Sequence, residues 1–188
     1  MNKVQVDKPL ITRLINHHCI VIPTVYDKQN NRPTGMTVAS MMPNSKQQLV
    51  IVFGPQSHTA KLIEEHHLFS INVLKQSDSK YFFDPLGMTS GSNTNKFENL
   101  PFHFESLGDN FDQIDIVESI ATIHLKYVKT EIIKSDSSET KLIFADIISG
   151  FVQEKYFQNG CYNFTDIEPS ERPCLHYGGL GFVPTQPI

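Results

Sequence analysis

The chain has 188 residues, of which 39% are hydrophobic and 19% charged, and its formal net charge is −4. This length and composition fit one compact domain over residues 1–188, with enough apolar side chains to form a core. No cluster of lysines and arginines provides the basic surface that nucleic-acid binding requires, and no apolar run reaches the ~20 residues that span a membrane.

The first residues lack the apolar segment and cleavage site of a signal peptide, so we expect a cytoplasmic protein. The β-branched run at residues 18–26 predicts a strand that enters a hairpin at the polar residues 27–31. A second short strand is predicted at residues 36–41. The unbroken apolar run at residues 49–53 predicts a third strand that is buried on both faces.

A helix is predicted over residues 57–67, where apolar and charged side chains fall on opposite faces. Ser57 or Thr59 can cap it, because a short hydroxyl side chain accepts hydrogen bonds from the unpaired amides of the first turn. The alternation at residues 69–74 predicts another strand. Residues 77–100 are polar and rich in turn formers, so we expect a surface excursion with one short helix.

The second half of the chain predicts two long strands, at residues 120–128 and 141–152, joined by a polar hairpin turn at residues 135–139. Glycines and aromatic residues at 174–182 indicate a loop in which two backbone segments approach closely. Many strands, long hairpins and one clear helix predict a mainly β fold, an antiparallel β-barrel with a few short helices.

The most informative segment is Gly54-Pro55-Gln56-Ser57-His58-Thr59, which joins the apolar strand to the start of the helix. Unpaired amides, the helix dipole and two hydroxyl side chains would meet there, which makes an anion site suited to a phosphate. Taken alone, the same residues also fit, and slightly favour, an ordinary helix cap without a ligand.

A flat aromatic ligand could lie against residues 35–40, where small hydroxyl residues alternate with apolar ones, although an ordinary barrel strand is the simpler interpretation of this segment alone. Four segments together resemble the flavin reductase-like family of FMN-binding split barrels, and the likeness covers roughly residues 15–182. They are RPTGMTVASMMPN at 32–44, LVIVFGPQSHTAKLIEEHHLFSINVL at 49–74, NKF at 95–97 and LHYGGLGF at 175–182. The split barrel and bound FMN are therefore expectations from this resemblance.

The resemblance also implies the residues of the FMN site. In it, residues 36–40 line the isoalloxazine ring and ribityl chain, residues 53–54 border the ring, and residues 57–59 hold the phosphate. Lys96 adds positive charge near the phosphate or ribityl chain, and Tyr177 approaches the flavin from the same or the partner subunit. The full set is Met36, Thr37, Val38, Ala39, Ser40, Phe53, Gly54, Ser57, His58, Thr59, Lys96 and Tyr177.

The resemblance further implies flavin reduction by hydride transfer to flavin N5, with NADH or NADPH as the donor. It also implies a homodimer and a partner monooxygenase or electron-transfer protein. One residue departs from the pattern: many such reductases carry Gly-Asp-His before the strand that corresponds to residues 142–148, and Thr140 occupies the place of the histidine. Two alternatives therefore stay open, an FMN-holding electron carrier that uses no nicotinamide and a non-catalytic flavin-binding protein. No catalytic residue is assigned.

Other polar residues indicate no further site. The histidine pairs at 17–18 and 66–67 lack the spacing of metal ligands, and we expect no bound metal. Asp109, Asp112 and Asp115 are interpreted as a solvated acidic loop. The three cysteines are expected to be unreactive thiols of a reducing compartment; they are Cys19, Cys161 and Cys174.

Overall fold

The structure is a computed structural model that describes residues 19–107, 110–136, 138–177 and 181–184. The strands are β1 (Val21–Asp27), β2 (Arg32–Gly35), β3 (Met41–Ser45), β4 (Gln48–Phe53), β5 (Leu68–Val73), β6 (Phe104–Leu107), β7 (Asn110–Ile116), β8 (Ala121–Ser135), β9 (Ser138–Val152), β10 (Phe157–Gln158), β11 (Cys161–Tyr162), β12 (Cys174–Tyr177) and β13 (Gly181–Pro184). The described residues also form one α-helix, α1 (His58–His66), and 3₁₀ turns at Gln76–Tyr81, Glu154–Tyr156 and Pro169–Glu171.

Seven strands form one antiparallel sheet in the order β2-β1-β5-β8-β9-β4-β3. The sheet closes into a barrel through residues 36–40. Val38 exchanges main-chain hydrogen bonds with Val21 of β1, at 2.9 and 3.0 Å, and the Ser40 carbonyl accepts from the Val52 amide of β4 at 2.9 Å. The segment therefore bonds β1 at Val38 and β4 at Ser40. The fold is a mainly β, antiparallel split barrel with few short helices, as the sequence predicted.

Alternate side chains of the strands fill the interior of the barrel, where burial of each large apolar side chain contributes about 1.5–3 kcal/mol. Phe53, Phe69 and Ile71 are among the fully buried members. Helix α1 contributes Ala60 and Ile63 to this core and leaves its charged face in solvent. No α-helix among the described residues is long and apolar enough to cross a membrane.

The opposite face of β1, β5 and β8 is buried because strand β7 lies across it. The side chains on this face are mostly polar. Asn72 is at the centre of this face. Its amide group donates to the Ile22 carbonyl at 3.1 Å and to Thr24 Oγ1 at 2.8 Å, and its carbonyl oxygen accepts from the Ile116 amide at 2.9 Å. The Asn72 side chain therefore links β1, β5 and β7.

The prediction that residues 77–100 form a surface excursion is wrong. Phe82, Leu86 and Phe97 are buried, and they pack with Ile20 and Ile22 in a second apolar core outside the barrel. The stretch consists mainly of turns, so its buried apolar side chains show no helical or strand spacing in the sequence. They are buried because they pack over the apolar side chains on the outer face of β1.

The solvated acidic loop is also corrected by the structure. Asp115 lies in β7 with 7% of its surface exposed, accepts from Ser70 Oγ at 2.5 Å and pairs with His124 Nε2 at 2.8 Å. Strand partners that supply a hydroxyl and an imidazole explain why a carboxylate is tolerated there. Asp109 and the side chain of Asp112 fall outside the described residues.

Most predicted elements are confirmed, including the helix, the hairpin at residues 27–31 and the strands now numbered β1, β4, β5, β8 and β9. The strand predicted at 36–41 is wrong, because those residues make single bridges to two strands and run between β2 and β3. The tail from residue 174 is a hairpin of β12 and β13 rather than a loop, although residues 178–180 lie outside the described part.

Replacement of Asn72 by alanine should lower the free energy of unfolding by about 2 kcal/mol, because the Ile116 amide would be buried without its acceptor and Thr24 Oγ1 would lose a donor. Urea denaturation would measure the change. Asn44→Ala is the matched control, since the Asn44 side chain is exposed and, among the described residues, bonds the side chain of Gln48; it should cost less than about 0.5 kcal/mol. Equal losses in the two variants would contradict this account of Asn72.

Candidate functional site

The N-terminus of α1 presents free main-chain donors. Ser57 is the N-cap with an extended backbone, and its Oγ accepts from the Ala60 amide at 3.1 Å. Within the described part of the chain, the amides of His58 and Thr59 have no acceptor. The cap therefore fixes the first turn and leaves two amides, together with the positive end of the helix dipole, aimed out of the helix.

These amides border a cavity of about 150 Å³ whose lining is rich in donors. The far wall is the segment 87–91, between β5 and β6. The lining consists of Met36, Gln56, Ser57, His58, Thr59, Gly87, Met88, Thr89, Ser90, Gly91 and Lys96. It contains hydroxyl groups, an amide, an imidazole and an ammonium group but no carboxylate, which is the composition that suits a phosphate.

Close packing against β2 fixes the far wall. A Cβ on Gly91 would lie 2.4 Å from Thr34 Oγ1, so no other residue fits there without a shift. The Gly91 carbonyl accepts from Arg32 Nη2 at 2.9 Å. Thr34 Oγ1 is buried with no hydrogen-bond partner among the described residues. A glycine and an unsatisfied hydroxyl therefore lie side by side behind the cavity.

Lys96 brings the positive charge that the resemblance implies into this cavity. It is 5% exposed and donates to the Gly35 carbonyl at 2.9 Å and to the Leu86 carbonyl at 2.5 Å. Burial lowers the pKa of Lys96 to about 8, although nearby Asp84 opposes the shift. A bound anion would offset the cost of this burial and would favour the charged form of Lys96.

His58 lines the cavity and is held from behind by Asp27 at the end of β1. Its Nε2 lies 2.9 Å from Asp27 Oδ2, and Asp27 is only 1% exposed. Burial acts to raise the pKa of Asp27, but hydrogen bonds from Asn30 and His58 outweigh it, so the pKa is lowered overall. Asp27 is therefore a carboxylate at neutral pH.

The segment 36–40 reaches the cavity only at its start. Ser57 Oγ lies 3.1 Å from Met36 Sδ, so Met36 joins the cavity to the barrel seam. The amides of Met36, Thr37 and Val38 already donate to main-chain carbonyls. Among the described residues, the amides of Ala39 and Ser40 have no acceptor and are free for a ligand.

Phe53 and Gly54, which the resemblance also implies, are not part of the lining of the cavity. The Phe53 side chain is 1% exposed and points into the barrel, whereas Gly54 is exposed and has open space around it. Tyr177 belongs to β12 by its backbone, and its side chain falls outside what the structure describes. Thr140 lies in β9 opposite Ile133 and is half-buried.

A larger cavity of about 340 Å³ opens elsewhere on the barrel, between β7, β8 and the end of β9. Its lining includes the carboxylates Glu105 and Asp115, which face each other across β6 and β7. Two carboxylates repel a phosphate, so this cavity is the poorer anion site despite its size. The buried pair of Asp115 and His124, which also bonds Ser149 Oγ at 2.8 Å, holds β7 onto the sheet.

The described residues contain no group of three metal-ligating side chains. All three cysteines are free. Burial raises the pKa of Cys19 to about 11 and that of Cys174, which also faces Cys19, to about 12. Both thiols are therefore protonated at neutral pH, in keeping with the predicted lack of reactivity.

The sequence reasoning missed two parts of the cavity. The wall at 87–91, GMTSG, was included in the surface excursion, although its glycines and hydroxyl residues are a composition typical of phosphate loops. Asp27 was interpreted only as a turn residue. Its link to His58 joins positions 31 residues apart, which no local pattern reveals.

A family model described as the flavin reductase like domain matches residues 13–168. The chain belongs to the flavin reductase-like family. The match includes three of the four segments that carried the resemblance, at residues 32–44, 49–74 and 95–97, and ends before the fourth at 175–182. A search of the curated proteins gives no match.

Solved structures of this fold superpose over nearly the whole chain. A split-barrel protein of Shewanella frigidimarina, described as a flavin reductase, has a TM-score of 0.78 at 17% identity and covers 97% of this chain and 91% of its own. Flavoredoxin of Desulfovibrio vulgaris has a TM-score of 0.78 at 18% identity, with 100% and 95% covered. The FMN-binding protein of Thermus thermophilus has a TM-score of 0.73 at 14% identity, with 100% and 98% covered. At these identities the likeness shows the fold.

Proposed function

We propose that this protein binds FMN and acts as an NAD(P)H-dependent flavin oxidoreductase. The observation that carries the proposal is the cavity at the N-terminus of α1, which gathers free amides, hydroxyl groups and Lys96 and has no carboxylate in its lining. In a family of flavin reductases, and with an FMN-binding protein among similar folds, the phosphate of FMN is the anion that this donor set fits best.

The residues divide the work of holding the cofactor. Ser57, His58 and Thr59 would hold the phosphate, with Lys96 and the wall at 87–91 on the opposite side. The free amides of Ala39 and Ser40 would donate to the ring. Bound FMN supplies the redox chemistry, since its isoalloxazine ring accepts a hydride from NADH or NADPH. The reducing equivalents would then pass to a partner monooxygenase or an electron-transfer protein.

An electron carrier that uses no nicotinamide is the second candidate. One feature of the chain favours it: Thr140 stands in β9 where many reductases of this family carry a histidine. A flavoredoxin is among the similar structures. Both candidates require the same FMN site, and they differ only in the electron donor.

A homodimer is the assembly that we propose. The cavity of about 150 Å³ is smaller than the roughly 300–1,000 Å³ of sites that enclose a whole small molecule. A partner subunit could provide the missing walls. Strands β8 and β9 carry large apolar side chains that are 44–60% exposed, a pattern typical of subunit interfaces; they are Val128, Ile132, Ile133, Ile148 and Phe151.

Ser57→Asp should weaken FMN binding at least about a hundredfold, because a hydroxyl donor is replaced by a charge that repels the phosphate. Aspartate caps helices about as well as serine, so the fold should persist. Fluorescence titration with FMN would measure the change. Ser45→Asp, on the exposed strand β3, is the control and should bind normally. Normal FMN affinity in Ser57→Asp would disprove the phosphate site.

Anaerobic addition of NADH or NADPH to the FMN-loaded protein should bleach the absorbance of oxidised flavin within seconds to minutes. Stopped-flow absorbance would record the rate with each nucleotide. If neither nucleotide bleaches the flavin and a reduced ferredoxin-type protein does, the chain is an electron carrier and the reductase proposal fails.

Sedimentation equilibrium should give about twice the 21.3 kDa of one chain, because the apolar side chains of β8 and β9 would be buried between two copies. Ile148→Lys should yield monomers, since it places a charge in that face. Phe157→Lys, on an exposed position of β10, should remain dimeric. A monomeric wild-type protein would rule out the proposed assembly.

A further inference from the structure

We infer that Asp27 couples FMN binding to the uptake of one proton by His58. The inference rests on the proposed phosphate site at the N-terminus of α1. Asp27 would act as a positioning residue: it fixes which nitrogen of His58 carries a hydrogen and stabilises the charged ring that a phosphate requires.

The first step is the fixed orientation of the carboxylate. Asp27 Oδ1 accepts from the Asn30 amide at 3.1 Å, and Asp27 Oδ2 accepts from Asn30 Nδ2 at 2.7 Å. The same Oδ2 faces His58 Nε2 at 2.9 Å. The hairpin turn therefore holds the buried carboxylate against the ring before any ligand arrives.

The second step is the tautomer of His58. An ionised carboxylate only accepts hydrogen bonds, so Nε2 must carry the hydrogen that faces Asp27. In a neutral ring, Nδ1 then bears a lone pair. Nδ1 has no hydrogen-bond partner among the described residues, and the ring lines the cavity.

The third step concerns the ligand. A phosphate dianion also offers only acceptors, so the lone pair of a neutral His58 would repel it. A protonated ring donates from both nitrogens, one to Asp27 and the other to the phosphate. Binding of the dianion should therefore draw a proton onto Nδ1, so that the ring donates to Asp27 and to the phosphate at the same time.

Other charged groups near His58 must be considered as alternative sites for the proton. Arg32 on β2 stays charged at every relevant pH and donates to Gly91. Asp84, between β5 and β6, acts on Lys96 and favours its charged form. On α1 itself, Lys61 pairs with Glu65 at 3.7 Å in solvent. Lys96 is the group to separate from His58, because its pKa of about 8 lies close to the working pH.

Calorimetry at pH 7.5 in two buffers with different ionisation enthalpies would count the protons taken up with FMN and with riboflavin, which lacks the phosphate. At this pH the phosphate is already a dianion, since its second pKa is about 6. We expect FMN to bind with net proton uptake and riboflavin without it. Uptake should fall in His58→Gln to the fraction of a proton that Lys96 takes up, since the pKa of Lys96 is about 8, and it should fall in part in Asp27→Asn.

Asp27→Asn should also bind FMN about tenfold more weakly than the wild type, while its affinity for riboflavin stays unchanged. The riboflavin affinity serves as the control for folding, and His58→Gln tests the same link without a change to the buried residue. Equal proton uptake in the wild type and both variants would assign the proton to Lys96 and overturn the inference, although the FMN site would stand. Failure of the wild type to bind either flavin would instead overturn the proposed function.

Discussion

The closure of the barrel at residues 36–40 is the constraint on which the rest of the structure depends. These five residues form main-chain hydrogen bonds with two strands in succession, with β1 through Val38 and with β4 through Ser40. A sheet with an unpaired edge exposes main-chain donors and acceptors, and closure removes that edge. The same five residues place Met36 against Ser57 and leave the amides of Ala39 and Ser40 free, so the seam of the barrel is also one wall of the candidate site.

The second apolar core completes the site from the other side. Residues 76–103 fold over the outer face of β1, and Phe82, Leu86 and Phe97 anchor them there. This anchoring brings Gly91 against Thr34 and buries Lys96 near two carbonyl groups. The cavity therefore exists only because a segment with little regular secondary structure is fixed by its packing.

Electrostatics then distinguishes the two cavities of the barrel. The smaller one contains amides, hydroxyl groups and a lysine at the positive end of α1, whereas the larger one contains Glu105 and Asp115. Carboxylates occur near both, but Asp27 lies behind His58 and outside the lining of the smaller cavity. The His58 ring lies between this carboxylate and the cavity, with its Nε2 2.9 Å from Asp27 Oδ2.

Membership of the flavin reductase-like family agrees with this arrangement, and the low identity of the similar structures limits them to evidence on the fold. The activity depends on features that the family does not fix. Thr140 is the clearest of these, since it alters the side chain near the start of β9 while the barrel around it is retained.

The sequence by itself determined the strands, the helix and the capped turn, because each is encoded by a local pattern of apolar spacing, β-branched residues or capping side chains. The local patterns predict β4, α1 and β5 with nearly the observed bounds. The GPQSHT turn taken alone slightly favours a plain helix cap, and only the resemblance of its surroundings predicts a phosphate site there. The tertiary structure alone decided that Phe82, Leu86 and Phe97 are buried, that Asp115 is internal and that residues 36–40 close the barrel. It also brought Asp27 to His58 and Gly91 to Thr34. Those outcomes depend on contacts between residues far apart in the chain, and such contacts produce no local pattern of residue spacing in the sequence.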